Sequence, residues 1–355
     1  MIRMKHQVAI VGAGVSGLTC GLVFVEHGYR TAIFAKEIGQ QTTSGAAAAL
    51  WFPYDAEPAD KVIPWALGTY LMLIDLAHNP GSGVSMIELR QFSRTEKIHI
   101  PDWAIPLGAR AVVPSLPPVM SSEVENGAAG EAATWTGRPE AERTRSERIT
   151  SLKIFKSGFS LRVPLMDTTI YLDYLANRFL AAGGSIAANT HFAQLEDVDQ
   201  QFGLVINCAG IGARELVRDT DLEPHRGQVA IVPRIKNLPY AVVCDDAPLM
   251  YAIPRRTDCV LGGTNELSNN PAADSATTTR IVAECTRALK IEKPNVLAER
   301  VGLRPFRKSG VRVERDQLRD GRAVVHNYGH GGCGFTLSWG CAEEVFEFVA
   351  TDSAA

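Results

Sequence analysis

Three features are missing from this chain, and each absence narrows what it can be. There is no basic excess: the formal net charge is -3, so the charge balance points to no nucleic-acid partner. No apolar run reaches the length of a membrane span. The longest near the N-terminus, Val8 to Val11, ends in glycines and reads as neither signal peptide nor anchor. No cysteine framework is legible either. Cys20, Cys208, Cys244, Cys259, Cys285, Cys333 and Cys341 are odd in number and show no metal-ligand spacing, so they read as reduced thiols with no metal. The last residues, Asp352-Ser353-Ala354-Ala355, are not a peroxisomal address, and the expectation is a cytoplasmic protein without a membrane partner. What remains is ordinary for an enzyme: 46% hydrophobic and 21% charged residues, in 355 positions that suffice for two domains.

The N-terminus carries a complete β-α-β unit. A short apolar strand at 7–11 meets Gly12, Gly14 and Gly17 at G-x-G-x-x-G spacing. A helix from about Ser16 to His27 stops at Gly28, and a second strand runs from Thr31 to Ala35. Further on, 168–183 shows helical spacing of Ile170, Leu172, Leu175 and Phe179. Residues 204–207 read as a buried strand entering Cys208-Ala209-Gly210. Short β runs at 229–232, 241–243, 249–253 and 259–261 predict an antiparallel sheet, and about 336–349 reads as a final helix. Residues 119–148 are polar and patternless and read as a mobile surface loop or insertion.

The glycine triplet has a physical meaning. Gly12 allows a tight turn, Gly14 lets backbone approach a pyrophosphate, and Gly17 lets helix pack on strand. The N–H groups at the helix start, around Ala13, Val15 and Ser16, then face the phosphates. Glu37 lies where a ribose-binding carboxylate belongs, about 20 residues after Gly17, although beside Lys36 it can equally be a solvated charge. A second close-approach loop, with Gly329, Gly331, Gly332 and Gly334, precedes the last helix. In a flavoenzyme its dipole would suit the N1–C2=O edge of the isoalloxazine, which becomes negative on reduction. His326 and His330 sit in that loop without carboxylate partners, which argues against a metal. Just upstream, Arg304-Pro305-Phe306-Arg307-Lys308-Ser309-Gly310-Val311-Arg312 offers arginines, the natural bidentate clamp for a carboxylate.

Together these residues resemble the D-amino-acid oxidase family. The most specific parts are HNYGHGGCGFTLSWGCA from His326, VGLRPFRKSGVRVER from Val301, and Gly12 to Gly17. Trp51-Phe52-Pro53-Tyr54, Asn207-Cys208-Ala209-Gly210 and Tyr251-Ala252-Ile253-Pro254 support them. The resemblance implies an α/β plus α+β architecture: a Rossmann-type FAD domain from about 1–55, 150–213 and 300–350, and a sheet-based substrate domain from 56–149 and 214–299. It also implies non-covalent FAD, hydride transfer from the substrate Cα–H to flavin N5, and reoxidation by oxygen to hydrogen peroxide. The imino acid then yields a 2-oxo acid and ammonia.

By the same resemblance the carboxylate-binding arginine falls on Arg312, its partner tyrosine on Tyr251, and the carbonyl that accepts the substrate amine on Gly332. Thr42, Thr43, Ser44, Ala49, Leu50, Ala209, Gly210, Gly334, Phe335 and Thr336 fall on the flavin-binding positions. Tyr251 can also be a half-buried strand aromatic. Many family members carry a second tyrosine on a lid before the Tyr251 position; here that stretch is Asp245-Asp246-Ala247-Pro248. The expected substrates are neutral or apolar D-amino acids. Oxidation of glycine, of N-substituted amino acids or of D-aspartate, a flavin-binding protein without turnover, and a homodimer all remain open.

Overall fold

The computed structural model describes residues 7–54, 56–95, 97–114 and 154–351. The 119–148 segment, read as a mobile loop, lies outside the described residues. Two sheets organise the rest. The first has six strands: β1 (Gln7–Ala13), β2 (Arg30–Ile38), β6 (Ser185–Ala187), β7 (Phe202–Asn207), β14 (Arg312–Gln317) and β15 (Ala323–Tyr328). Their order is β14-β15-β7-β1-β2-β6. The strands from β15 to β6 are parallel, and β14 adds an antiparallel edge. Central β1 is almost wholly apolar because both of its faces are covered.

Helix α1 (Val15–Glu26) follows β1 directly and is buried along nearly its whole length. It packs on the last helix, α7 (Gly334–Ala350), and on α4 (Thr168–Ala181). Helix α3 (Ala59–Ala77) packs on the other side of α7. A short helix α2 (Thr43–Ala46) follows β2, capped by the Thr42 hydroxyl. Another, α5 (Ala213–Leu216), follows β7.

The second sheet is mixed. It holds β3 (Val84–Ser93), β4 (Arg110–Ala111), β5 (Ser157–Met166), β8 (Leu222–Pro233), β9 (Ala241–Cys244), β10 (Met250–Pro254), β11 (Asp258–Gly262), β12 (Glu266–Leu267) and β13 (Ala298–Arg307). The order is β12-β8-β11-β10-β9-β3-β5-β4, with β13 also on β8. The strands expected at 229–261 pair antiparallel as anticipated, but β3 joins β9 in parallel. Helix α6 (Ser275–Leu289) seals one face of this sheet through Ile281, Val282 and Cys285, which join Val232, Ala252 and Leu261 in a separate core. The other face is left to a cavity.

Residues 150–213 and 300–350 were expected wholly on the FAD side. The structure instead puts β5 and β13 in the second sheet, because each finds its hydrogen-bonding partner there: β5 on β3, and β13 along the length of β8.

Candidate active site

Between the two sheets lies a cavity of about 1200 Å³. That exceeds the usual range for a single small ligand, roughly 300–1,000 Å³, and suits a long dinucleotide with a substrate beyond it. One end is the β1–α1 turn. Gly12 has φ +111°, a conformation L side chains rarely adopt, and a Cβ there would overlap the Cys208 carbonyl. A Cβ on Gly17 would overlap the Gly12 carbonyl, so the helix starts tight against the turn. Gly12, Ala13, Gly14, Val15 and Ser16 line the cavity, as do Lys36 and Glu37 at the end of β2. The Ser44 hydroxyl accepts a hydrogen bond from Val15 N at 3.0 Å and ties the following segment to the helix start. Thr42, Thr43, Ala49 and Leu50 continue that wall, with Ala209 and Gly210 opposite. The donor set fits a dinucleotide: free N–H groups for phosphates, a carboxylate for ribose hydroxyls, and no bulk in the turn.

At the other end the β-sheet face presents Tyr251. Across three neighbouring strands Tyr251, Val243 and Gln91 form one row, and all three line the cavity. The Tyr251 ring lies on Gly262, where any Cβ would overlap it. Its hydroxyl meets the guanidinium of Arg304. Arg304 rests in turn on Gly227 and donates from Nη1 to the Thr264 carbonyl at 2.9 Å. Tyr54 completes the group; its hydroxyl sits against the Gly332 Cα. Burial pushes the phenols of Tyr54 and Tyr251 up, against an opposing pull from Arg304, so both stay protonated near neutrality. One fixed cation flanked by two neutral hydroxyls is a receptor for a carboxylate. Gly332, Gly334 and Phe335 line the cavity beside it.

The chain matches the family described as FAD dependent oxidoreductase (DAO) over residues 7–348. A D-amino-acid oxidase of Rubrobacter xylanophilus is 34% identical over 96% of this chain and 95% of its own length. One of Streptomyces coelicolor is 37% identical over 95% of each. The chain belongs to the D-amino-acid oxidase family. Among solved structures, a glycine oxidase from Geobacillus kaustophilus superposes with a TM-score of 0.74 at 16% identity, covering 98% of this chain and 95% of that one. That likeness establishes the fold.

Membership makes FAD the cofactor, and the cradle described above is where it would sit. Gly17 packs behind the turn on the Gly12 carbonyl; apart from it, two of the family positions carried over from sequence do not line the cavity. Arg312 stands on β14, in the other sheet. Its guanidinium donates to the Tyr328 hydroxyl at 2.7 Å and pairs with Glu314 at 2.5 Å. Tyr328 donates to Asp219 at 2.7 Å, which also accepts from Arg307 at 2.8 Å. Burial pushes the Asp219 carboxyl up, but the hydrogen bonds from Arg307 and Tyr328 outweigh it and hold it below the usual range. The physical reason for the misplacement is the strand change at 308–311: β13 runs on the cavity sheet and β14 on the other, so only Arg304 faces Tyr251. Thr336 is the second. Its hydroxyl accepts from Phe52 N at 3.2 Å and donates to Phe52 O at 3.3 Å, pinning α7 to the 50s segment.

Sequence reasoning also passed over Tyr54, Gln91 and Asn327, all of which line the cavity. Among the described residues no group of three or more His, Cys, Asp or Glu side chains could hold a metal. His326 turns to Asn207 at 3.3 Å and His330 to Asn327 at 3.0 Å, so the two do not converge. No helix among the described residues is long and apolar enough to cross a membrane.

Proposed function

We propose that the protein oxidises D-amino acids with neutral or apolar side chains to 2-oxo acids, with ammonia and hydrogen peroxide as co-products, using FAD that is held non-covalently. The observation that carries this reading is the meeting of Arg304 and Tyr251 at the far end of the dinucleotide cradle. In this reading Arg304, and not Arg312, clamps the substrate carboxylate, and Tyr251 donates to the same group. The Gly332 carbonyl accepts the substrate amine. These contacts fix the Cα–H direction, and orientation is most of what such a reaction needs from the protein. FAD, when bound, supplies the two-electron acceptor for the Cα–H bond and passes the electrons to oxygen.

Two of the nucleophile-bearing residues at the cavity are engaged elsewhere, which supports a cofactor without a covalent bond. Cys208 lies against Cys20 with its thiol pushed well up by burial, and His330 is tied to Asn327. The test is peroxide formation by the FAD-loaded protein with D- and L-amino acids, glycine and sarcosine. D-alanine and D-methionine should turn over and their L-enantiomers should not; a protein active only on glycine or sarcosine, or on nothing in the panel, sinks the proposal.

A further inference from the structure

We infer that Thr264 is a positioning residue for the carboxylate clamp, holding the Arg304 guanidinium in place beside the Tyr251 hydroxyl. The inference rests on the oxidase reading above, in which Arg304 and Tyr251 take the substrate carboxylate, and deepens it by naming what sets their geometry. Thr264 is buried and stands outside the cavity lining, so it acts through Arg304 rather than on the substrate.

Thr264 sits in a break of a strand ladder. Gly262 pairs with Val229 of β8, and Glu266 pairs with Arg226, so four steps along one strand match three along β8. The extra residue makes a bulge between β11 and β12, a device that re-aims a chain beside an active site. Within the break the Thr264 side chain makes bonds that the ladder lacks. Its hydroxyl accepts from Gln228 N at 2.9 Å and donates to the Arg226 carbonyl at 3.4 Å. Between those two residues lies Gly227, on which the Arg304 guanidinium rests. The Thr264 backbone carbonyl accepts from Arg304 Nη1 at 2.9 Å. One residue thus grips β8 on both sides of the clamp's platform and also holds the clamp.

The same short segment bears on the other half of the receptor. A Cβ on either Gly262 or Gly263 would overlap the Tyr251 ring. Residues 262–264 therefore meet the phenol through their glycines and the guanidinium through their last carbonyl. Any shift of the segment moves the two groups relative to one another.

The base to which Thr264 is tied is itself fixed. Strand alternation turns Arg226 and Gln228 to the face of β8 away from the cavity, and both are buried there. Gln228 Nε2 donates to the Asp274 carbonyl and to Thr278 Oγ1, both at 2.7 Å. Its Oε1 accepts from Arg226 Nη2 at 2.6 Å and from Asp274 N at 3.0 Å. Arg226 also donates to the carbonyls of Asn270 at 3.0 Å and Ala272 at 2.6 Å. Asp274 caps α6, so the network locks β8 to the start of that helix. A buried polar network whose members are satisfied is rigid. The Thr264 hydroxyl is the link between that rigid base and the bulge that carries the clamp.

The experiment uses the FAD-loaded enzyme and three variants. Thr264→Val keeps the shape and removes the hydroxyl, Thr264→Ala removes it with less bulk, and Thr264→Ser retains it. The readouts are KM and kcat for D-alanine, the melting temperature, and the Kd of propionate, a carboxylate without an amine, titrated through the flavin absorbance. In the valine and alanine variants the propionate Kd and the KM for D-alanine should both rise at least fivefold, with FAD still bound and kcat within threefold of wild type. Thr264→Ser should restore both constants to within twofold. A role confined to stability would lower the melting temperature and leave the propionate Kd within twofold in the hydroxyl-free variants, and that result overturns the proposal. So does a Thr264→Ser enzyme whose propionate Kd has risen fivefold or more, which keeps the test decisive should the valine variant not fold. The propionate titration needs no turnover. An enzyme idle on every D-amino acid overturns the oxidase reading, while the propionate Kd still tests how Thr264 positions Arg304.

Discussion

Arg304 lies on Gly227, the one residue type that leaves room for its guanidinium: a Cβ at that position would overlap Nη1, Nη2 and Cζ together. Gly227 sits on β8 opposite Gly302, two residues from the Arg304–His225 pair. The carboxylate clamp therefore depends on a backbone position that carries no chemistry itself. Gly227→Ala should push Arg304 off Tyr251 and raise KM for the best D-amino acid at least tenfold, with FAD still bound. Arg304→Ala should do more. Truncating one partner of a buried charge pair costs about 2–5 kcal/mol, which is roughly 30-fold or more in KM. An Arg304→Ala enzyme with wild-type KM and a normal flavin spectrum removes this residue from the site.

Arg312 makes the contrasting case. Its partners are Tyr328 and Glu314, and through Tyr328 it belongs to the Asp219–Arg307 network. A hydrogen bond to a charged group is worth about 1.5–3 kcal/mol. Arg312→Ala should accordingly lower the melting temperature by a few degrees and leave KM within about threefold of wild type. A large rise in KM with unchanged stability would return Arg312 to the substrate.

These two arginines show where the sequence stopped being informative. They lie eight residues apart in one basic stretch, and both precede the second glycine loop. Which of them faces the substrate depends on where the chain leaves one sheet for the other, a long-range pairing that no local pattern encodes. The same limit hid β5 and β13, whose partners lie far away in sequence. Local signals did better. The helices expected at 16–27 and 168–183 appear as Val15–Glu26 and Thr168–Ala181, because glycine stops and helical spacing are written within each segment. The cradle was legible for the same reason, since turn, helix start and acid belong to one unit. The sequence did not show what the Thr336 hydroxyl meets at the start of α7, because its partner, Phe52, lies far away in the chain.

Gly12 tests the cradle. The backbone φ of +111° and the overlap with Cys208 leave no room for a side chain. Gly12→Val should yield folded protein with little or no flavin absorbance. In the wild type, acid or heat should release yellow FAD into the supernatant. Colour that stays with the precipitated chain would overturn non-covalent attachment, and FMN in the supernatant would overturn the adenosine-binding role of Lys36 and Glu37.

Acidic substrates should be poor ones. Among the described residues lining the cavity, Arg304 is the only arginine, and the proposed function assigns it to the α-carboxylate. A distal carboxylate would meet Asp245 rather than a cation, and an unpaired carboxylate in an apolar pocket costs several kcal/mol. Neutral D-amino acids such as D-methionine should exceed D-aspartate in kcat/KM by at least roughly tenfold, the equivalent of ~1.4 kcal/mol. Steady-state assays at pH 8 decide it, and D-aspartate emerging as the best substrate would point to a cation elsewhere on the wall.

Two buried histidines, His326 on β15 and His330 in the glycine loop that follows, shape how the protein responds to acid. Burial, aided by the nearby Arg312, pushes His326 down to about 4, and burial alone does the same to His330. In the unfolded chain an ordinary histidine titrates near 6.5. Between those values the unfolded chain holds the more protons, so stability falls as pH falls from about 6.5 towards about 4. Below that the folded histidines protonate as well, and the loss levels off. Each group contributes a slope of up to ~1.4 kcal/mol per pH unit in that window. Replacing His326 with glutamine removes one such group, while an amide can still face Asn207. His326→Gln should therefore cost less at pH 5 than at pH 7, by about 1–2 kcal/mol. Urea unfolding of the FAD-loaded enzyme and its variant at the two pH values measures the difference directly. A cost that is the same at both would mean that His326 is already protonated in the folded protein at pH 5, and that the Asn207 contact holds an imidazolium rather than a neutral ring.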